Sequence, residues 1–197
     1  MKSNISPMRA LIALGANDTG ESHLMAERLQ NALRELTSEE IDVEKVSHFY
    51  HSPCFPEGIG NDFVNAVALL KVTIAPEDLL IRLHEVEENA GRKRLKRWGI
   101  RPLDLDLLAV EKIILPDLET FDFWRNLSLS TQMERAPEEI ILPHPRITDR
   151  AFVLLPMQDV VPDWVHPVTG QSLKTLISAL PEGACAGIRP VDQPMGT

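Results

Sequence analysis

The sequence predicts an α+β fold: a ferredoxin-like antiparallel sheet with helices packed on one face, followed by irregular and helical elements toward the C-terminal side. Three observations support this class: apolar runs of strand length, two segments with apolar residues at helical spacing, and their order along the chain. That order, strand-helix-strand-strand-helix-strand, is typical of a ferredoxin-like sheet.

The first half of the chain supplies the elements that begin this pattern. Residues 8–14 are almost continuously apolar, which is typical of an interior strand. Apolar residues recur at helical spacing over residues 25–36 and predict an amphipathic helix that covers this strand. Alternation over residues 46–50 predicts a second strand, and residues 63–72 predict a third.

The next elements are a second helix and a fourth strand. Pro76 is suited to a first helical turn and Gly91 to a helix end, so the apolar stripe between them predicts a helix over residues 76–90. Residues 104–110 predict a strand that becomes apolar on both faces toward its end. This pattern favours a central position in the sheet.

The C-terminal part is less regular. Residues 116–139 lack clean periodicity, and we interpret them as a loop-like insert with one short helix. Ser172 is placed to cap a last short helix. We expect one domain over residues 8–180 and a mobile C-terminal tail over residues 181–197.

Composition limits the classes of function. A chain of 197 residues is long enough for one well-buried core. The net charge of -9 argues against a nucleic-acid partner, because the basic residues are concentrated in one segment. No apolar run approaches the ~20 residues of a membrane span, and no signal peptide is visible. Cys54 and Cys185 lie far apart, so we expect reduced thiols in a cytoplasmic monomer.

Two aspartates and a basic segment predict a site for polyphosphate. Asp104 and Asp106 share one strand face roughly 6.6 Å apart, at a rise of about 3.3 Å per residue. Hard cations such as Mg²⁺ bind one or two carboxylates together with substrate phosphates. The cations before this pair are Arg92, Lys93, Arg94, Lys96, Arg97 and Arg101, with no acidic residue among them. Their charges favour a bound polyanion.

Five separated motifs carry a resemblance to a known family. Residues 97–108 read Arg-Trp-Gly-Ile-Arg-Pro-Leu-Asp-Leu-Asp-Leu-Leu. The others are Leu14-Gly15-Ala16-Asn17, Phe49-Tyr50-His51-Ser52-Pro53, Phe63-Val64-Asn65-Ala66, and Pro143-His144 with Arg150-Ala151-Phe152. With these motifs the chain resembles, over roughly residues 8–180, the 6-hydroxymethyl-7,8-dihydropterin pyrophosphokinase family, whose members move a diphosphate from ATP to a pterin alcohol in folate biosynthesis.

The resemblance implies an ATP- and Mg-dependent diphosphotransferase. Asp104 and Asp106 would hold two Mg²⁺ ions that bridge ATP and the pterin, and Arg92 and Arg101 would stabilise the phosphates during transfer. The family's ATP-site positions correspond here to Glu87, Arg94, Trp98, His144 and Arg150.

The resemblance also implies a pterin site. Phe63 and Phe152 would sandwich the ring, because a flat heterocycle prefers two aromatic faces with a few polar groups at its edge. The positions that would read the polar edge are Asn65 and the segment Ser52 to Phe55, in which Ser52, Pro53 and Phe55 are the matching residues.

Two other classes of function use similar residues. In a non-catalytic nucleotide- or polyphosphate-binding module, Asp104 and Asp106 would be only structural. A two-metal nuclease or nucleotidyltransferase also uses paired carboxylates, but a second basic surface for a nucleic-acid strand is missing. The chain also departs from the family pattern, because Ile100 stands where Pro is frequent and the segment between Arg94 and Trp98 is one residue shorter.

Overall fold

The computed structural model describes residues 5–18, 20–54, 60–91, 101–128, 131 and 135–191. The strands in these ranges are β1 (Met8–Ala16), β2 (Ile41–Val46), β3 (Tyr50–Ser52), β4 (Phe63–Val72), β5 (Asp104–Val110) and β6 (Arg189–Pro190). The α-helices are α1 (Ser22–Leu36), α2 (Pro76–Asn89), α3 (Leu118–Arg125), α4 (Ala151–Val160) and α5 (Leu173–Ser178), and a 3₁₀ helix covers Ile147–Asp149.

Antiparallel pairing joins the described strands into one sheet, in the order β5-β1-β4-β3-β6. β2 pairs with β4 along the same edge as β3, so the two short strands follow one another there. The predicted antiparallel α+β fold is confirmed, and from β1 to β5 the elements follow the predicted order, except that two short strands, β2 and β3, stand where one strand was predicted.

The first face of the sheet is covered by α1 and α2, the two helices that the apolar spacing predicts. Their buried stripes pack against the side chains that β1 and β4 direct to this face, such as Ile12 and Leu70. The stripes consist of Met25, Leu29, Ala32, Leu33 and Leu36 on α1 and of Leu79, Leu83 and Val86 on α2. Each large side chain buried in this way contributes about 1.5–3 kcal/mol to stability.

The second face is covered by α4 and α5, which form another core with the sheet. This core joins Leu11, Val67, Leu69 and Leu108 of the sheet to residues of the helices and of the 3₁₀ helix. The sequence analysis assigned no helix to residues 151–160. The segment has few polar positions to reveal a period, and it contains Pro156, which is unusual inside a helix.

Two predictions about strands are wrong in detail. The strand predicted over residues 46–50 is interrupted, because the Ser47 hydroxyl accepts the Val67 N–H at 3.0 Å and so replaces a backbone partner in the ladder. β5 lies at the edge of the sheet and not at its centre. It is apolar because helices cover both its faces, and its outer edge is closed by a side chain of α2: Glu87 accepts the Leu105 N–H.

The insert is closed at its base and contains a short helix, as predicted. Leu115 and Leu142 exchange two backbone hydrogen bonds of 2.9 and 3.1 Å, which brings the two ends of the insert together. Asp117 caps α3 by accepting the Thr120 N–H at 2.8 Å. Phe121, on the inner side of α3, is fully buried.

The segment after Pro181 differs from the predicted mobile tail. Within its described part, residues 181–191, turns lead into β6, which pairs with Tyr50 and His51 of β3. Pro190 is tolerated here because β6 is an edge strand, and its neighbour Val191 supplies an N–H that bonds the Phe49 carbonyl. Residues 192–197 lie outside the described residues.

None of the helices within the described ranges combines the length and the apolar character that crossing a lipid bilayer requires.

His166 is a buried histidine outside the predicted site. Its side chain contacts the rings of Phe121 and Trp164, with centroids 5.9 and 5.6 Å away. Its Nδ1 accepts the N–H groups of Val168 and Thr169 at 3.2 and 3.3 Å, so the neutral ring carries its proton on Nε2. Burial, and then the nearby charge of Arg125, lower the pKa of His166 from 6.5 to about 4.

We expect His166 to contribute to unfolding in acid. Between pH 6.5 and pH 4 the unfolded chain protonates this histidine and the folded chain does not, so the free energy of unfolding falls as the pH falls. His166→Gln should reduce the proton uptake on unfolding in this range by about one proton. Urea titrations at several pH values measure the free energy of unfolding and its dependence on pH. The difference between the two proteins at pH 8, where His166 is neutral in both states, gives the loss of packing alone. An unchanged pH slope would contradict the assignment.

Candidate active site

The register of the sheet places one residue from each of four strands on a single row. Gly15 of β1 lies opposite Asn65 of β4 on one side and opposite Asp104 of β5 on the other. Asn65 in turn lies opposite Tyr50 of β3. Residues directly opposite one another share a face of the sheet. The row therefore brings a carboxylate and an amide, from segments distant in sequence, to one end of the sheet.

This row lies on the second face. Asp106 is opposite Ala13, and Ala13 is opposite Val67, which belongs to the core under α4. Because alternate residues of a strand share a face, Asp104 and Asn65 also point to this side. The predicted alternation in β5 is confirmed: Leu105 and Leu107 are buried in the first core, while both aspartates are partly accessible.

Gly15 leaves a gap in the middle of the row. A Cβ at this position would lie 3.2 Å from Oδ1 of Asn65, closer than most real contacts. Asp104 and Asn65 stand two strand spacings apart, which is about 9.6 Å at about 4.8 Å per strand. Gly15 lies between the two residues and has no side chain. The site therefore has a carboxylate side at Asp104 and an amide side at Asn65, with open space between them.

Each aspartate is paired with an arginine. The Arg101 guanidinium donates to Asp104, and the Arg150 guanidinium donates to Asp106 at 2.7 Å. Burial raises the pKa of Asp106, but the charge of Arg150, with smaller contributions from His144 and Arg101, lowers the pKa to about 2. Asp106 is therefore ionised at physiological pH and is available as an oxygen ligand.

His144 lies beside this pair on an extended segment. Its backbone N–H donates to the Leu108 carbonyl at 2.7 Å, and its Nδ1 accepts the Arg146 N–H at 3.0 Å. Burial, followed by the charge of Arg150, lowers the pKa of His144 to about 4. At neutral pH the ring is uncharged and carries its proton on Nε2, so it can donate a hydrogen bond without adding charge.

Glu87 supports the strand that carries the aspartates. Its side chain is buried, and Oε1 accepts the backbone N–H of Leu105 at 2.7 Å. Leu105 stands between the two aspartates, so this bond fixes the strand at the site. The resemblance implies that Glu87 lines the ATP site, and the structure places it directly behind Asp104 and Asp106.

Asn17 fixes the backbone of Arg101. Its Oδ1 accepts the Arg101 N–H at 2.7 Å, and its own N–H donates to the Arg101 carbonyl at 3.0 Å. A second link lies next to it, where Arg28 bonds Asp18 and the Pro102 carbonyl. The sequence analysis gave Asn17 no role. The available signal was a polar residue at the end of an apolar strand, which does not reveal a partner 84 residues away.

The amide side of the site is formed by β3 and β4. Asn65 is buried, and its Nδ2 donates to Oγ of Ser52 at 2.7 Å. Ser52 lies opposite Phe63, which is half-buried. Phe152 on α4 is 37% exposed, and the Arg150 guanidinium lies 5.9 Å from its ring centroid. The structure therefore gathers Ser52, Phe63 and Asn65 in one place.

Helix α4 is held at both ends by charged groups. Arg150, the residue before its first turn, bonds Asp106 of β5. Near its end, Asp159 accepts the N–H of His48 and the hydroxyl of Tyr50, both at 3.0 Å. Burial, and then the hydrogen bond to Asp159, raise the pKa of Tyr50 to about 12, so this hydroxyl remains a donor.

Four predicted site residues lie outside the described residues: Phe55, Arg92, Arg94 and Trp98. Their assignments remain predictions. The described residues contain no group of three or more His, Cys, Asp or Glu side chains suited to a metal ion. A cation held by Asp104 and Asp106 would therefore take further oxygens from a ligand, as Mg²⁺ does with phosphates.

Comparison with known proteins gives consistent matches. Residues 11–162 match the model of the family described as 7,8-dihydro-6-hydroxymethylpterin-pyrophosphokinase. The chain is 34% identical over 185 residues to the 2-amino-4-hydroxy-6-hydroxymethyldihydropteridine pyrophosphokinase of Synechocystis sp.. This match covers 92% of this chain and 80% of that relative. It is also 34% identical over 173 residues to the protein of the same name from Pseudomonas aeruginosa, with 88% and 92% covered.

Solved structures agree in fold. The wild-type Plasmodium falciparum HPPK-DHPS with STZ-DHP gives a TM-score of 0.63 at 14% sequence identity. The match covers 89% of this chain and 43% of that one, so this chain spans less than half the length of that structure. At this identity the likeness concerns the fold alone.

We expect Asn17→Ala to destabilise the protein. The substitution leaves the Arg101 N–H without its acceptor, which costs about 1–3 kcal/mol when the group stays away from water. Asn126→Ala is the control, because the Asn126 side chain also bonds a backbone group, in this case by donating to the Asp122 carbonyl, but on an exposed helix end. Urea denaturation compares the two free energies of unfolding. Equal losses in both variants would contradict a special role for Asn17.

Proposed function

We propose that this chain, which belongs to the 7,8-dihydro-6-hydroxymethylpterin-pyrophosphokinase family, transfers a diphosphate from ATP to 6-hydroxymethyl-7,8-dihydropterin, a step of folate biosynthesis. The observation that carries the proposal is the row on which Asp104 and Asn65 flank Gly15. It offers an anionic side suited to a cation and phosphates next to a neutral side suited to a heterocycle.

The reaction joins the substrates across this gap. The pterin hydroxymethyl oxygen attacks the β-phosphorus of ATP, and the bond from that phosphorus to the oxygen bridging the α-phosphorus breaks. AMP leaves with that oxygen, the hydroxyl proton passes to solvent, and the pterin keeps the diphosphate. In-line placement of the two reactants accounts for much of the rate in such transfers, because the chemistry needs little covalent help.

The carboxylate side would manage the charge of the polyphosphate. We assign Asp104 and Asp106 as the ligands of two Mg²⁺ ions, which when bound would neutralise the phosphates and favour ionisation of the pterin alcohol. Arg101 and Arg150, which bond these carboxylates in the structure, would bond the phosphate oxygens in this proposal. Guanidinium groups suit this exchange, since they match carboxylates and phosphates with the same geometry.

His144 would bind ATP as a neutral donor. Its pKa of about 4 keeps the ring uncharged, and Nδ1 is already occupied by the Arg146 N–H, so the Nε2–H is the group that would donate to the nucleotide. A neutral donor would orient the nucleotide without adding a positive charge next to the Arg150 guanidinium. Arg92, Arg94 and Trp98 complete the proposed ATP site by resemblance.

The amide side would recognise the pterin. Ser52 fixes the orientation of the Asn65 amide by accepting from its Nδ2. The Asn65 carbonyl oxygen and its second N–H then have defined directions toward a ring with both donors and acceptors at its edge. Phe63 and Phe152 supply the aromatic faces in this proposal. The segment Ser52 to Phe55 would read the polar edge of the ring together with Asn65, and for Phe55 this role rests on the resemblance alone.

Product analysis tests the proposed function directly. We expect AMP and a pterin diphosphate in equal amounts when the protein is incubated with ATP, Mg²⁺ and 6-hydroxymethyl-7,8-dihydropterin. Liquid chromatography with mass spectrometry identifies both. ADP with a monophosphorylated pterin would exclude attack at the β-phosphorus, and binding of both substrates without any product would favour a non-catalytic binding module.

We expect Asp104→Asn and Asp106→Asn each to lower turnover by about 10²-fold or more, because a negative charge opposite the cations is lost. Both should fold, since the side chains face the site and Asn is of similar size. The affinity for Mn²⁺, measured by electron paramagnetic resonance in the presence of an ATP analogue, should fall in the same variants.

The matched control for these variants is Glu44→Gln. Glu44 also bonds an arginine on the same sheet, Arg9 at 2.8 Å, but outside the site. Its turnover and Mn²⁺ binding should remain normal. Normal Mn²⁺ affinity in the Asp104 and Asp106 variants would show that these carboxylates are not the ligands.

A further inference from the structure

The C-terminal segment, residues 181–191, pairs with β3, the strand that carries Ser52 on the proposed pterin side of the site. β6 pairs with Tyr50 and His51, and the Val191 N–H donates to the Phe49 carbonyl at 2.7 Å. These three residues of the β3 region directly precede Ser52. The position of Ser52 therefore depends on a strand from the far end of the chain as well as on β4.

The turn before β6 presses against Pro53. Gly187 has φ of +74°, and a Cβ at this position would lie 2.7 Å from Cγ and 3.2 Å from Cδ of the Pro53 ring. Real Cβ atoms almost never approach another heavy atom within 3.0 Å. The absence of a side chain at Gly187 therefore lets this turn approach Pro53 closely, and a Cβ there would require Pro53 to shift.

His51 connects the same turn to the far side of the segment. Its Nδ1 lies 3.4 Å from the Gly187 carbonyl, and its Nε2 lies 3.1 Å from the Asp62 carboxylate. Asp62 in turn accepts the Cys54 N–H at 3.0 Å. The backbone from residue 52 to residue 54 is therefore held by β4, by Asp62 and by the C-terminal turn.

We propose that the turn at Gly187 positions the pterin-binding segment, so that the C-terminal segment sets the affinity of the site for the pterin. This inference rests on the proposed function, in which Ser52, Pro53 and Asn65 contact the pterin. A shift of Pro53 moves Ser52, and Ser52 holds the Asn65 amide through a 2.7 Å hydrogen bond. Asp104 and Asp106 lie on β5, on the other side of Gly15. The hydrogen bonds described above join them to Arg101 and Arg150 and not to the segment from Ser52 to Cys54.

Two glycines of the same segment give a matched pair of variants. Gly187 and Gly183 both have positive φ, +74° and +81°, so an alanine meets similar backbone strain at either position. No atom of the described residues lies within 4 Å of a Cβ at Gly183, whereas a Cβ at Gly187 overlaps Pro53. The difference between Gly187→Ala and Gly183→Ala therefore measures the contact with Pro53.

Calorimetric titration of the full chain decides the inference, with 6-hydroxymethyl-7,8-dihydropterin and a non-hydrolysable ATP analogue with Mg²⁺ as the two probes. Gly187→Ala should weaken pterin binding by about tenfold or more, because loss of one well-placed hydrogen bond to a buried polar group costs on the order of tenfold in affinity. Gly183→Ala should leave it within about twofold. Affinity for the ATP analogue should be the same in both. Equal pterin affinities, or an equal loss of nucleotide affinity, would overturn the inference.

A double-mutant cycle checks the route of the effect. In a Pro53→Ala background the ring that meets the new Cβ is gone, so Gly187→Ala should cause no further loss of pterin affinity. A full further loss there would refute the contact. If Gly187→Ala does not fold, Val191→Pro removes the N–H donated to Phe49 without overlap at Pro53, and normal pterin affinity in that variant would refute the role of the segment.

Asn65→Ala separates failure of this inference from failure of the proposed function. It should weaken pterin binding whether or not the C-terminal turn matters. Weak binding in Asn65→Ala with normal binding in Gly187→Ala would overturn only the inference. Normal binding in both variants would show that the pterin is recognised elsewhere, and the inference would fall with the assigned pocket.

Discussion

The register of β1 with its two neighbours is the constraint on which the site depends. It sets Asp104, Gly15 and Asn65 side by side and directs all three to the second face. Because side chains alternate along a strand, a slip of one residue would turn both aspartates of β5 into the first core and expose leucines. The buried leucines on the opposite face oppose such a slip, so the apolar core enforces the geometry of a polar site.

Helix α4 links the two sides of this site physically. It starts at Arg150, which contacts a carboxylate of β5, and it ends near Asp159, which contacts Tyr50 of β3. Between these points its apolar residues pack on the sheet against Leu11, Val67, Leu69 and Leu108. The same element therefore completes the second core and fixes the distance between the anionic and the neutral halves of the site.

Local periodicity and motif spacing predict those elements whose cause lies within a short stretch of sequence. Helices α1 and α2, strand β4 and the alternation of Asp104 and Asp106 follow from residues close to one another in the chain. Helix α4 was missed because it is apolar on most sides, and the break before β3 was missed because it depends on a hydroxyl bonding another strand. The partner of Asp106 is 44 residues away, so only the topology reveals it.

The arginine partners of the two aspartates have a consequence for how the protein depends on its surroundings. Two carboxylates left alone on neighbouring positions would repel each other and would resist folding until a counter-ion arrived. Here Arg101 and Arg150 supply that compensating charge within the chain. Under the proposed function, the supply of divalent cations would govern how fast each molecule works, whereas folding of the chain would need no cation at this pair of carboxylates.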